Sequence, residues 1–325
     1  MKLPRRQFLH LAAGAAALPT TSRFGWAQAY PNRPVRMIVG FPAGGQADIV
    51  ARLIGQWLQE RLGQPFVVEN RPGAAGNIAA EAVVRAVPDG YTLLMATAAV
   101  AINATLYDKL NFDLLRDIRP VASIIRVPLI LELNPLVPAK TIPEFIAYAK
   151  ANPGKISMAS PGIGTASHMA GELFKMMTGV EMLHVPYRGD APALTDVMGG
   201  QVQVIFGNMP PSIEHVRGGK LRALAVTTTM RSAALPDVPT VGEFVPGYEA
   251  SNWVGIGAPK STPTEIVGKL TNEINAGLTD SKTRAQLADL GGTPLLGSPA
   301  DFGKLIAEEI EKWAKVVKVA GLKPD

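Results

Sequence analysis

Cysteine is absent from the 325 residues, and histidine occurs only four times. Without thiols there is no disulfide, Cys-ligated zinc, iron–sulfur cluster or thiol nucleophile, although this count chooses no redox compartment. The histidines show no His-x-x-x-His or His-x-Glu spacing, so neither a metal nor any other cofactor is expected. Beyond the first thirty residues no apolar run reaches eighteen uninterrupted positions, which excludes a membrane span there. A Gly-x-Ser-x-Gly elbow and a Gly-x-x-x-x-Gly-Lys-Ser/Thr loop are both missing. Runs of Lys or Arg are missing from the body of the chain, so the formal net charge of +5 does not point to nucleic acid. What remains is a chain with 47% apolar and 18% charged residues, enough for a substantial core. Single cores stop growing near ~250–300 residues, so the length favours two domains.

The first residues, Met1 to Leu9, carry a basic head with paired Arg5 and Arg6, followed by a weakly apolar stretch from Phe8 to Leu18. That stretch is too short for a span of roughly twenty residues. With small residues at Ala27 and Ala29, the segment reads as a cleaved secretory leader over residues 1–29, twin-arginine in type but with Pro4 where Ser or Thr is usual. Four of the 32 basic residues and no acid fall in it, so 28 basic against 27 acidic residues remain, a net charge of +1. The mature protein is expected to be soluble and periplasmic.

The rest alternates β-branched runs with helical spacing, the pattern of an α/β protein with largely parallel sheets. Strands are expected at residues 35–41, 66–69 and 91–97, with helices between them. Two apolar runs, 121–127 and 129–133, carry the chain out of the first sheet. A second series of strands and helices spans 156–227, and a strand at 253–258 precedes helices at 263–278, 283–290 and 299–319. The last helix, with Ile306, Ile310, Trp313 and Val317 at helical steps, should dock on the first domain. Domain 1 is read as residues 30–130 with 251–325, domain 2 as 131–250, and a cleft between two such lobes suits a small ligand.

Each lobe contains a strand, a glycine turn and a helix in succession, the arrangement that aims backbone N–H groups at an anion. The first is Phe41-Pro-Ala-Gly-Gly-Gln-Ala-Asp48; the second is Ser160-Pro-Gly-Ile-Gly-Thr-Ala-Ser-His168. Glycine permits positive φ and close backbone approach, and Ser160, Thr165 and Ser167 add hydroxyls. Read blandly, Asp48 and Thr165 are helix caps, while His168 and His184 are packed side chains. The second loop is a near miss to a dinucleotide fingerprint, with Ser167 where a third glycine or alanine belongs. A triad of Ser160, His168 and some aspartate lacks an orienting logic, so no catalytic residue is assigned.

The stretches Gly162-Ile-Gly-Thr-Ala-Ser-His-Met-Ala-Gly-Glu-Leu-Phe174, His184-Val-Pro-Tyr-Arg-Gly-Asp-Ala-Pro-Ala-Leu-Thr-Asp196 and Gly199-Gly-Gln-Val-Gln203 closely resemble the tripartite tricarboxylate transporter solute-binding proteins, also called the Bordetella uptake gene family. Asn70-Arg-Pro-Gly-Ala-Ala-Gly76, Pro88-Asp-Gly-Tyr-Thr-Leu93 and Leu235-Pro-Asp-Val-Pro-Thr240 extend the resemblance along the mature chain. The resemblance implies a two-lobed α/β fold of the type II periplasmic binding protein kind, with a central ligand cleft and no enzymatic activity. It implies a monomer that captures a small carboxylate and hands it to the membrane subunits of a tripartite tricarboxylate-type transporter. A ligand sensor facing a signalling partner would use the same residues, and a periplasmic enzyme acting on a carboxylate is a third alternative. Carried over by position, the ligand residues are Ala43, Gly44, Gly45 and Asp48 from the first loop, and Ser160, Gly162, Gly164, Thr165 and His168 from the second. Thr97, Tyr187 and Asn208 are further candidates for the cleft wall. Gln203 and Gly207 stand where many relatives have an acid, and Ala98-Ala-Val-Ala-Ile102 is small and apolar. Both features favour an aliphatic or aromatic carboxylate over an amino acid, whose ammonium needs an acceptor.

Overall fold

The computed structural model describes residues 30–107 and 109–324. The leader expected at 1–29 lies outside the described residues.

The chain begins with β1 (Val35–Val39), which lies between β2 (Phe66–Asn70) and β3 (Thr92–Thr97), parallel to both. The helix α1 (Gln46–Leu62) buries Val50, Ala51, Ile54 and Leu58 against this sheet. It ends at Gly63, whose φ of 72° lets its N–H turn back to the Gln59 carbonyl. A single 3-10 turn leads into α2 (Asn77–Val84). From the end of β3 the chain enters α3 (Ala98–Leu106) directly. The small apolar run noted in the sequence is thus a buried helix, its alanines allowing close approach of its neighbours.

After α4 (Leu114–Asp117), the two apolar runs form one long strand, β4 (Ile118–Leu133). Up to Pro128 it pairs with β9 (Ser251–Pro259); from Leu129 it pairs with β7 (Val204–Asn208) and β8 (Arg222–Val226). Between these come α5 (Ile142–Ala151), β5 (Ser157–Ser160), α6 (Ala166–Thr178), β6 (Leu183–Pro186), α7 (Asp190–Met198) and α8 (Met209–Arg217). The chain closes with α9 (Thr264–Thr279), α10 (Ser281–Asp289), the short β10 (Thr293–Pro294) and α11 (Pro299–Ala320).

Among the described residues the strands run in the order β2-β1-β3-β9-β4-β7-β5-β6, with β8 and β10 also on β4. The expectation of largely parallel pairing holds inside each βα series (β1 with β2 and β3; β5 with β6 and β7) and fails between them. Every pair involving β4 or β9 is antiparallel. The reason is the path: β4 leaves the first lobe and β9 returns to it, so neighbouring crossings run in opposite directions. Residues on β4 alternate between two cores, with Leu129 and Leu131 packing on one face and Ile130 on the other.

The helix α11 begins in a capping box of Ser298 and Asp301 and buries Phe302, Ile306, Trp313 and Val316 along one stripe. It docks on α3 and β4, as expected for the first lobe, and also on α6 of the second. Phe302 meets the fully buried Trp253 edge-on at 5.5 Å between ring centres. Buried Glu309 accepts the Trp313 indole N–H at 2.8 Å and lies 3.7 Å from Arg126. The C-terminal helix therefore straps the crossing strands. Among the described residues no helix is long and apolar enough to cross a membrane.

Candidate functional site

The two glycine loops face one another where the lobes meet. Phe41, Gln46 and Ala47 from the first, and Pro161, Thr165 and Ala166 from the second, enclose a space of about 20 Å³ with Thr97, Ala99, Asp190, Asn208 and Asn252. That is room for about one water molecule. Outside it lies a vestibule of about 690 Å³, lined by Phe41 and Pro42 on one side and by Pro161, Gly162, Ile163 and Tyr187 on the other. The lobes approach one another closely here. A Cβ on Gly189 would lie 3.0 Å from the Pro42 ring, and one on Gly164 would lie 2.4 Å from Asn103 Oδ1.

The first loop is braced by charge. Asp48, in the first turn of α1, reaches back to accept the Gly44 N–H at 3.0 Å and the Asn70 Nδ2 at 3.0 Å. Arg52, one turn further on, forks onto both carboxylate oxygens at 2.9 Å. Burial alone would raise the Asp48 pKa, but these donors outweigh it and hold it below the ordinary carboxylate value. The second loop is braced by neutral groups. Thr165 caps α6 by accepting the His168 N–H, and His168 Nδ1 accepts the Gly164 N–H at 3.2 Å. His168 stacks on His184 with ring centres 3.9 Å apart, and His184 Nε2 lies 2.6 Å from Ser160 Oγ. Burial drives both imidazoles down, His168 to about 3 and His184 to about 4, so both are uncharged at neutral pH. Ser160 is fully buried and its imidazole neighbour is His184, not His168, so the serine and His168 do not form a catalytic pair.

The N–H groups of Gly44, Gly162 and Gly164 are therefore spent within their own loops, the Gly162 N–H on Ser160 Oγ at 3.2 Å. What the loops present to this space are the first turns of α1 and α6, whose leading N–H groups have no acceptor within the helix itself. Beside them sit two buried donors without a hydrogen-bond partner, Gln46 Nε2 and Thr97 Oγ1. Gln46 is 3% exposed and Thr97 is 4% exposed, and both line the small space. Asn208 also lines it: its Nδ2 donates to Asp190 Oδ1 at 2.7 Å, and its Oδ1 accepts from Asn252 Nδ2, which also donates to Gln46 Oε1. Tyr187 lines the vestibule only, with its hydroxyl turned to Asp196 at 2.7 Å. Ala43, Gly44 and Gly45 lie on the loop itself, in front of α1.

Sequence reasoning missed Gln46, Asp190 and Asn252 as cleft residues. Asn252 carried a signal, being a lone amide in an otherwise largely apolar strand. The notion of a cleft poor in acids is also corrected. Gln203 lies at the far end of the second lobe, accepting the Ser157 N–H, while Asp190 lines the cleft itself. Behind it, Glu132 packs against Gly207 and is fully buried, and desolvation raises its pKa well above the ordinary value. The argument against an ammonium-bearing ligand, which rested on missing acceptors, thus loses its premise.

Comparison with known proteins places this geometry. The sequence model of the tripartite tricarboxylate transporter family receptor matches residues 50–322. Protein BugT of Bordetella pertussis is 38% identical over 318 residues, covering 97% of this chain and 96% of the relative. The structure of R. palustris Rpa4515 with adipate superposes with a TM-score of 0.89 at 40% identity, covering 91% of this chain and all of that one. MatC from Rhodopseudomonas palustris with bound malate superposes with a TM-score of 0.84 at 33% identity, covering 89% of this chain and all of that one. The two-lobed α/β fold is that of the periplasmic binding proteins.

Proposed function

The chain belongs to the tripartite tricarboxylate transporter receptor family, and from that premise we propose that it captures a small carboxylate between its lobes and delivers it to a membrane transporter of that type. The family and its structural neighbours are solute-binding proteins, not enzymes. Domain 1 comprises residues 30–130 with 251–325, and domain 2 comprises 131–250; the mature protein works as a monomer in the periplasm after loss of residues 1–29. The observation that carries the reading is the pair of helix N-termini, α1 and α6, aimed into one cleft beside the unpartnered Gln46 Nε2 and Thr97 Oγ1. Each N-terminus favours a negative group by ~0.3–1 kcal/mol, rising to about 2 when partly buried. Two of them bind one carboxylate without a cationic side chain.

The assigned residues then divide by task. Thr97, Thr165 and Asn208 line the seat; Ala43, Gly44, Gly45, Gly162 and Gly164 shape the turns that present it. Asp48, Ser160 and His168 hold those turns, and Tyr187 walls the outer path. A ligand touching both lobes binds the closed form better, and that difference alone drives closure. Two solved relatives carry adipate and malate, which supports a carboxylate with a short carbon body as the ligand. A thermal-shift screen of mature protein against mono-, di- and tricarboxylates tests the reading. A ligand at a hundred times its Kd adds about 2.7 kcal/mol, which raises Tm by several degrees. If refolded protein shows no shift with any carboxylate, the reading fails.

A further inference from the structure

The seat described above is already engaged by a carboxylate that belongs to the protein. Asp190, the first residue of α7 in the second lobe, is 7% exposed and lines the space between the lobes. Its Oδ2 reaches the start of α1 so closely that a Cβ on Gly45 would lie only 2.9 Å away. Burial raises its pKa to about 6, and the Asn208 amide, the Gln46 N–H in the first turn of α1 and its own N–H offset part of that rise by favouring the charged form. On the other side Oδ1 takes the Asn208 amide at 2.7 Å, and the chain of amides continues through Asn252 to Gln46 of the first lobe. A side chain of one lobe therefore sits on the helix N-terminus of the other, tied by hydrogen bonds that cross the cleft.

We propose that Asp190 is a built-in surrogate ligand, an internal carboxylate that holds the α1 seat in the closed form and that an incoming carboxylate must displace. This rests on the carboxylate-receptor reading for the identity of the seat, but not for the existence of the latch. An internal occupant lowers the apparent affinity by the fraction of molecules in which it holds the seat. It also sets specificity. A ligand with one carboxylate only replaces what Asp190 already supplies, so a ligand that wins must add contacts elsewhere, such as with unpartnered Gln46 Nε2 and Thr97 Oγ1 or with the apolar walls of the vestibule. When Asp190 leaves, only the Asn208 Nδ2 loses its acceptor, while the Asn208 Oδ1 stays on the Asn252 amide.

The test uses the mature chain and Asp190→Asn, with succinate and adipate as probes in titration calorimetry and small-angle scattering of protein without added probe. The expected result is a gain of at least tenfold in affinity for one of the probes, together with a larger radius of gyration before it is added. An affinity unchanged within twofold, or weakened, overturns the proposal. If neither protein binds either probe or any other carboxylate, the receptor reading fails and scattering alone decides: expansion of Asp190→Asn supports the latch, and identical curves overturn it. Should Asp190→Asn not fold, Gly45→Ala evicts the same carboxylate from the opposite lobe at an ordinary φ of −78°, and unchanged scattering overturns the latch.

Discussion

The two glycine loops resemble one another as sequence and differ in what holds them. The loop ahead of α1 is fixed by an ionised carboxylate, Asp48, pinned by a guanidinium that is itself mostly in water; the side chain of Arg52 is 56% exposed. The loop ahead of α6 is fixed by a partly buried stack of two uncharged imidazoles and a serine. Their glycines differ in the same way. Gly44 and Gly164 both have positive φ, 80° and 75°, yet a Cβ on Gly44 would meet nothing within 4 Å, whereas on Gly164 it would strike Asn103 and Leu106 of the first lobe. The first loop is thus an exposed turn that can move with its lobe, and the second is a packed part of the interface. Similar turns can present similar anion seats while depending on opposite physical supports.

Substituting the paired glycines strains this comparison most. Gly164→Ala should cost 3 kcal/mol or more, since it adds a clash across the closed interface to the left-handed strain, and should abolish carboxylate binding. Gly44→Ala should cost only the strain, about 1–2 kcal/mol, in chemical denaturation. Equal losses at the two positions would mean that the loops are mechanically equivalent.

Acid separates the loops next. For His168 and His184 the folded pKa lies below the unfolded value, so the native state refuses protons that the unfolded chain accepts from pH 6.5 downwards. Stability should fall by up to about 2 kcal/mol per imidazole between pH 6.5 and 5. Asp48 is also lowered but from 3.8, so its support persists until the pH drops below about 4. Asp190, raised to about 6 chiefly by burial, acts with the opposite sign, its contribution being full below 3.8 and lost as pH rises through 6. In an Asp190→Asn background the histidine slope should steepen, and in a His168→Gln, His184→Gln variant it should vanish, as read from denaturation midpoints at each pH. The smallest effect belongs to Arg52→Ala, which should cost under 1 kcal/mol because an exposed guanidinium contributes little. A loss of several kcal/mol would show that the first loop depends on charge far more than this exposure implies.

Much of the fold was legible because its pattern is local. The βα alternation, the two apolar runs at 121–127 and 129–133 that pass between lobes, and the C-terminal apolar stripe all follow from periodicity and punctuation. The antiparallel pairing of β4 with β9 was not legible, because strands some 120 residues apart carry no mark of their direction. The helix α5 was overlooked although Thr141 and Glu144 form a cap signal ahead of it. At the site, the turns announced themselves through glycine, but the donors that remain free did not. Which N–H a loop spends on itself depends on Asp48, Ser160 and His168 folding back, and which acid lies in the cleft depends on a lobe contact that brings Asp190 to Gly45 across 145 residues.

The account turns on one claim, that both helix N-termini grip a single carboxylate. A crystal structure of the mature protein with the carboxylate that gives the largest thermal shift tests it directly. The predicted result is one carboxylate group within about 2.7–3.2 Å of first-turn N–H groups of both α1 and α6, with the lobes closed around it. A ligand that touches only one lobe, or that rests in the outer vestibule and never reaches Gln46 and Ala166, would contradict it.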